Sequence, residues 1–171
     1  MLPQDDYFAR LTIETNEMKR EQPGFQPVNG NLNHWQGFIL GTNLYDGGIF
    51  VFDIQLPREY PFKPPDTKLL TQVWHPNVFN ERVCIGILGK DWAPTNNLVD
   101  IIESLRFLLS NPNPEDPLHS SAAKMMKDDY DAFKTRVSEW VNEYATWDQF
   151  CLLYTSPSPR DATLSRMPSS A

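Results

Sequence analysis

The stretch "LPREYPFKPP", Leu56 to Pro65, limits the fold more than any other part of the chain. Pro57, Pro61, Pro64 and Pro65 remove backbone donors and pin φ, so no regular helix can form across it. The runs on either side read as strands. "IFVFDIQL" (Ile49 to Leu56) puts Phe50, Phe52, Ile54 and Leu56 on one face, and "DTKLLTQVW" runs from Asp66 to Trp74. Upstream, "HWQGFIL" (His34 to Leu40) is a further strand, joined to Ile49 by the turn-like "GTNLYDGG". Parallel neighbours need long helical crossings, so these short links predict an antiparallel meander. The proline-rich link is either a rigid connector or a preformed docking surface, because Tyr60 and Phe62 on a stiff loop offer aromatic area at low entropic cost.

Helices bracket the strands. Asp6 to Arg20 carries Phe8, Leu11, Ile13 and Met18 and is stopped by Pro23-Gly24. In "NLVDIIESLRFLLSN", Leu98, Ile101, Ile102, Leu105, Leu108 and Leu109 recur at helical spacing, with Asn96 or Asn97 as the cap. "NPNPEDP" ends that helix. A helical pattern resumes from Ser120 to about Ala145, and its apolar phase shifts near Asp128-Asp129, which divides it in two. Strands grouped first and helices after give an α+β layout.

The chain has 171 residues and 40% hydrophobic residues, enough for one domain with a proper core. A net charge of −7 argues against general nucleic-acid binding. The first thirty residues hold no apolar run, and no segment approaches the ~20 apolar residues that span a bilayer, so no membrane partner is expected. Cys84 and Cys151 do not make a disulfide scaffold, and a cytoplasmic or nuclear location is the simplest expectation. From Cys151 onward, "CLLYTSPSPRDATLSRMPSSA" has no periodicity and closely resembles a translated sequencing-adapter or vector sequence. The reading is a domain over 1–147 and a disordered tail, set aside as an artefact, over 148–171.

The stretch "WHPNVFNERVCIGIL" holds the one cysteine that invites a chemical role. Val83, Ile85, Ile87 and Leu88 around Cys84 also fit a small, inert, buried residue. No CxxC pair or Cys/His cluster accompanies it, so no metal is expected.

Taken in order, "YPFKPP", "WHPN", "VCIGIL", "DWAP" and "NPNPEDPL" resemble the ubiquitin-conjugating (E2) enzymes over roughly residues 5 to 146. The resemblance implies the E2 (UBC) fold: an N-terminal helix, a four-stranded antiparallel meander and C-terminal helices. It also implies that Cys84 accepts ubiquitin, or its relative NEDD8, from an E1 enzyme as a thioester and passes it to a lysine or an E3 cysteine. A thiolate suits this because it is both nucleophile and leaving group. Asn77 matches the HPN asparagine, either an oxyanion donor or a brace for the loop before Cys84. His75, with Pro76, matches a structural turn rather than a base. Asp116 matches the acid that faces an incoming lysine, or else supplies charge to a helix N-terminus. Phe62, Ala93 and Pro94 match the loops that contact E3 ligases of the HECT, RING-between-RING or RING type. The implied protein is a monomer without a cofactor, ATP being used by the E1.

The chain departs from the family in two places near the cysteine. The link from His75 to Cys84 is one residue shorter than usual and lacks a glycine, so "VFNER" must turn tightly, with unusual dihedrals expected at Glu81 or Arg82. Gly86 stands where many lysine-directed members carry Asp, which predicts weak discharge to lysine and better discharge to thiols. "NHWQG" is similar to members serving thiol-dependent ligases, and "TQVWHPN" with "DWAPT" to those for NEDD8. The competing class is a non-catalytic E2-variant interaction module, against which Cys84 argues.

Overall fold

The computed structural model describes residues 1–154. Helix α1 (Gln4–Glu21) leads into a sheet of β1 (Phe25–Val28), β2 (Asn31–Leu40), β3 (Ile49–Gln55), β4 (Asp66–Leu69), β5 (Val78–Phe79) and β6 (Arg82–Val83). All pairings are antiparallel, in the order β1-β2-β3-β4-β6-β5. Then follow α2 (Leu98–Ser110), α3 (Ser120–Asp128), α4 (Tyr130–Tyr144) and α5 (Trp147–Leu153). The expected α+β meander and helices are present.

The alternation of the strands sets the layers. Trp35, Gly37 and Ile39 on β2 lie opposite Ile54, Phe52 and Phe50 on β3, so all six share the core face. The helix α2 adds Leu98, Ile101, Ile102, Leu105 and Leu109 to the same core. Each such side chain contributes about 1.5–3 kcal/mol of burial energy. Asn97 caps this helix through a reciprocal pair: its side chain accepts from Asp100 N, and Asp100 accepts from Asn97 N. The break expected near Asp128-Asp129 is a single residue, Asp129, which ends α3 and caps α4 by accepting from Ala132 N.

Three details differ from the sequence reading. The strand from Asp66 stops at Leu69, but Leu70 N still donates to Val51 O, and the Thr71 hydroxyl accepts from Val51 N. The hydroxyl replaces a ladder carbonyl, so the run to Trp74 stays attached without being a strand. On α1 the buried stripe is Leu11, Glu14, Thr15 and Met18, whereas Phe8 and Ile13 are 53% and 59% exposed. Finally, order extends beyond the boundary expected at 147/148. Thr146 caps α5, and Phe150 and Tyr154 stack one turn apart and set their rings edge-on to Phe38 on the outer face of the sheet. The rest of the expected tail, residues 155–171, lies outside the described residues.

Candidate active site

Two hairpins show how the tight link before Cys84 closes. Between β1 and β2, Asn29 and Gly30 have φ of 52° and 74°. A two-residue hairpin of type I′ needs positive φ at both positions, and Asn-Gly supplies it without strain. Between β5 and β6 the same two-residue connection is made by Asn80 and Glu81, with φ of 49° and 66°. The unusual dihedral expected at Glu81 or Arg82 falls on Glu81 and is shared with Asn80. Glu81 holds a conformation that costs a residue with a side chain about 1–2 kcal/mol.

The hairpin delivers Cys84 to Asn77. Val78 pairs with Val83, and one step on, Cys84 N donates to Asn77 O at 2.9 Å. Val83, Ile87 and Leu88 pack against the core, while Cys84 itself is half-buried. The flanking residues thus hold the segment, and Cys84 remains partly open to solvent.

The HPN residues pin the segment that follows α2. Asn77 is 2% exposed, and its side-chain amide donates to Asn113 O at 2.9 Å and to Asp116 O at 3.0 Å. Its oxygen accepts from Asn113 N at 2.8 Å. Both amide hydrogens are therefore engaged as a brace. Pro76 O accepts from Leu118 N and His119 N at 2.8 and 2.9 Å. His75 is fully buried; its Nε2 donates to Leu108 O at 3.0 Å, while Nδ1 accepts from Asn77 N at 3.0 Å. Since a carbonyl only accepts and a backbone N–H only donates, the tautomer is fixed, and burial pulls the ring's pKa down to about 4. Both nitrogens are committed, which leaves His75 no proton-transfer role toward Cys84. Asp116 presents an exposed carboxylate on the braced segment. Cys84, Asn77 and Asp116 are joined through one residue, Asn77.

Beside Cys84, Gly86 opens a short 3₁₀ turn, Gly86–Leu88. A Cβ built on Gly86 would lie 2.0 Å from Asp91 Oδ2, so the Asp91 carboxylate occupies the space where a side chain at 86 would begin. Asp91 N donates to Gly86 O at 2.9 Å.

The docking candidates lie on two adjacent loops. Phe62 is 50% exposed, Pro94 is exposed and Ala93 partly so. Trp92 Nε1 donates to Pro61 O at 2.7 Å, tying one loop to the other. A buried polar cluster that the sequence reading missed holds both to α1. Glu14, 3% exposed, accepts from the Tyr60 hydroxyl and Arg10 Nε, each at 2.7 Å, and from Leu98 N at 2.9 Å. Arg10 also donates to Pro94 O and Asn96 O, both at 2.5 Å. Burial and the Glu14 charge raise the Tyr60 pKa, which keeps its proton in place. The available signal was Glu14 falling in phase with Leu11 and Met18 on a helix.

Among the described residues, no group of three or more His, Cys, Asp or Glu is arranged to hold a metal ion, and no helix is long and apolar enough to cross a membrane.

This sheet, its flanking helices and the HPN-braced segment define an α+β domain of the E2 type. A family model described as ubiquitin-conjugating enzyme matches residues 10–141. The chain belongs to the ubiquitin-conjugating enzyme family. It is similar to the E2 domain of a Toxoplasma gondii ubiquitin conjugating enzyme, at 33% identity and TM-score 0.74, over 81% of this chain and 99% of that one. A chain assigned as a ubiquitin conjugating enzyme in Plasmodium yoelii matches at 31% identity and TM-score 0.76, over 85% and 98% of the two chains.

Proposed function

We propose that Cys84 carries the carboxyl terminus of ubiquitin as a thioester, received from an E1 enzyme and passed to a lysine amine or an E3 cysteine. One observation carries this reading: a half-buried thiol on a segment bonded to Asn77, which in turn braces the segment bearing Asp116. In the charging step the Cys84 thiolate attacks the E1-bound thioester and the E1 thiolate leaves. In the second step an amine or thiol attacks the new thioester, and Cys84 leaves as thiolate. Asn77 acts chiefly as the brace, since its donors are already engaged. Asp116 supplies a carboxylate toward the incoming amine. Phe62, Ala93 and Pro94 form the E3-facing surface, and the protein works as a monomer in the cytoplasm or nucleus, without a cofactor of its own. NEDD8 is the alternative modifier, and a non-catalytic interaction module is the alternative class.

The test is incubation with E1, ATP and either ubiquitin or NEDD8, followed by a non-reducing gel. The expected result is a reductant-sensitive adduct, a reductant-resistant ester with Cys84→Ser and no adduct with Cys84→Ala. An adduct of full yield on Cys84→Ala, or none with either modifier on the unmodified protein, overturns the reading.

A further inference from the structure

We infer that Asp91 supplies the carboxylate that receives the acceptor amine beside Cys84, in place of the side chain that Gly86 lacks. This rests on the thioester reading above. Ile85 is extended, with φ −147° and ψ 139°, so positions 84 and 86 face the same side of the backbone. Alternate residues of an extended segment lie roughly 6–7 Å apart. The Asp91 oxygen stands where a side chain at 86 would begin, 2.0 Å from a built Cβ. A carboxylate therefore sits on the thiol's side, at a separation that accommodates an amine between it and a thioester carbonyl.

Its placement is fixed from both sides. Asp91 N is bonded to Gly86 O, and the next residue, Trp92, is anchored to Pro61 O through its indole. The side chain is exposed, and among the described residues no cation pairs with it. Asp91 is thus an uncommitted acid on an anchored main chain. Besides Asp116, proposed above to face the incoming amine, the chemistry uses an acid next to the thioester itself. A lysine ammonium must lose one proton to become nucleophilic and a second as the C–N bond forms and the C–S bond breaks. Cys84 leaves as thiolate, and the carboxylate takes these protons in turn and passes them to water. A thiol acceptor, already a few per cent thiolate at neutral pH, needs no such partner. The weak lysine discharge expected from Gly86 alone is accordingly replaced by competent discharge through Asp91.

The experiment charges Cys84 with E1, ATP and whichever of ubiquitin or NEDD8 it accepts, then adds free lysine or free cysteine and follows loss of the thioester. Three proteins are compared: unmodified, Asp91→Asn, and the double variant Gly86→Asp/Asp91→Gly, which moves the acid without changing its number. Asp91→Asn is expected to charge normally, lose about tenfold in discharge to lysine and keep its discharge to cysteine. The double variant is expected to recover lysine discharge. Lysine discharge by Asp91→Asn within twofold of the unmodified protein overturns the inference. Equal losses toward both acceptors, or a folded double variant without recovery, do the same. Failure of the unmodified protein to charge with either ubiquitin or NEDD8 removes the thioester reading instead, and this inference with it.

Discussion

The Tyr60 hydroxyl lies 2.7 Å from both carboxylate oxygens of Glu14, inside the joint between α1 and the proline-rich loop. The contact links the loop that exposes Phe62 to the helix whose Arg10 holds Pro94 O and Asn96 O. A carboxylate placed in a buried stripe satisfies three donors from three parts of the chain: α1 itself, the proline-rich loop and the start of α2. The relative position of the two proposed docking loops therefore depends on this buried charge together with the direct Trp92–Pro61 bond.

Glu14→Gln keeps the shape but trades an acceptor for a donor facing Tyr60 or Leu98 N. It is expected to cost about 2–4 kcal/mol, against about 1–2 kcal/mol for Tyr60→Phe, read as shifts in a urea unfolding curve. Losses under 0.5 kcal/mol for both variants would mean that the joint is held by apolar packing alone.

Asn77→Ala removes three hydrogen bonds to the segment between α2 and α3. The expected outcome is a stability loss of about 2–4 kcal/mol along with slower discharge of any Cys84 thioester. A variant with unchanged unfolding midpoint and slow discharge would assign Asn77 to the oxyanion instead of the brace.

Glu81→Gly should stabilise the protein. Glycine removes the cost of positive φ at the second hairpin position, offset in part by the greater freedom of the unfolded chain, for a net gain of about 0.5–1 kcal/mol. The matched control is Gly30→Glu, which puts the same residue in the equivalent position of the other hairpin and should lose a similar amount. Thermal or urea unfolding of the two variants provides the comparison.

His75 predicts a pH dependence. Its pKa falls from 6.5 to about 4 on folding because burial disfavours the cation. Between these values the unfolded chain binds the extra proton, so this contribution is complete above pH 6.5 and is lost as the pH falls toward 4. Its full size is about 3 kcal/mol. His119, also shifted down by burial, adds in the same direction. Unfolding free energies from pH 4 to 7 should rise less steeply for His75→Gln than for the unmodified protein, and parallel curves would refute this assignment.

The segments that the sequence made legible are those where one physical signal dominates. The apolar stripe of α2 and the Asn97 cap are unambiguous because helical spacing and cap chemistry agree there. Asp129 is legible because the apolar phase slips at a residue suited to capping. The edge strand β1 was hidden: four residues are too few to show alternation, and Pro27 reads as a breaker although an edge strand tolerates it. The polar cluster around Glu14 was hidden because its partners Tyr60 and Leu98 are far away in sequence. Asp91 was hidden for a related reason. Sequence comparison asks which residue stands at position 86, whereas the chemistry asks which atoms occupy the space beside it, and the return from the 3₁₀ turn brings another residue there.

The bonds from His75, Pro76 and Asn77 to the stretch from Leu108 to His119 all end on main-chain atoms: Leu108 O, Asn113 N and O, Asp116 O, Leu118 N and His119 N. Three adjacent residues thus hold this stretch by its main chain, with the Asn113 side chain adding a turn of its own by accepting from Glu115 N. The exposed Asp116 side chain can change identity while the loop keeps its course. With Asp116 facing the acceptor as proposed, a change at that one side chain would retune which acceptors are welcomed at the thiol, and the scaffold would stay indifferent to it.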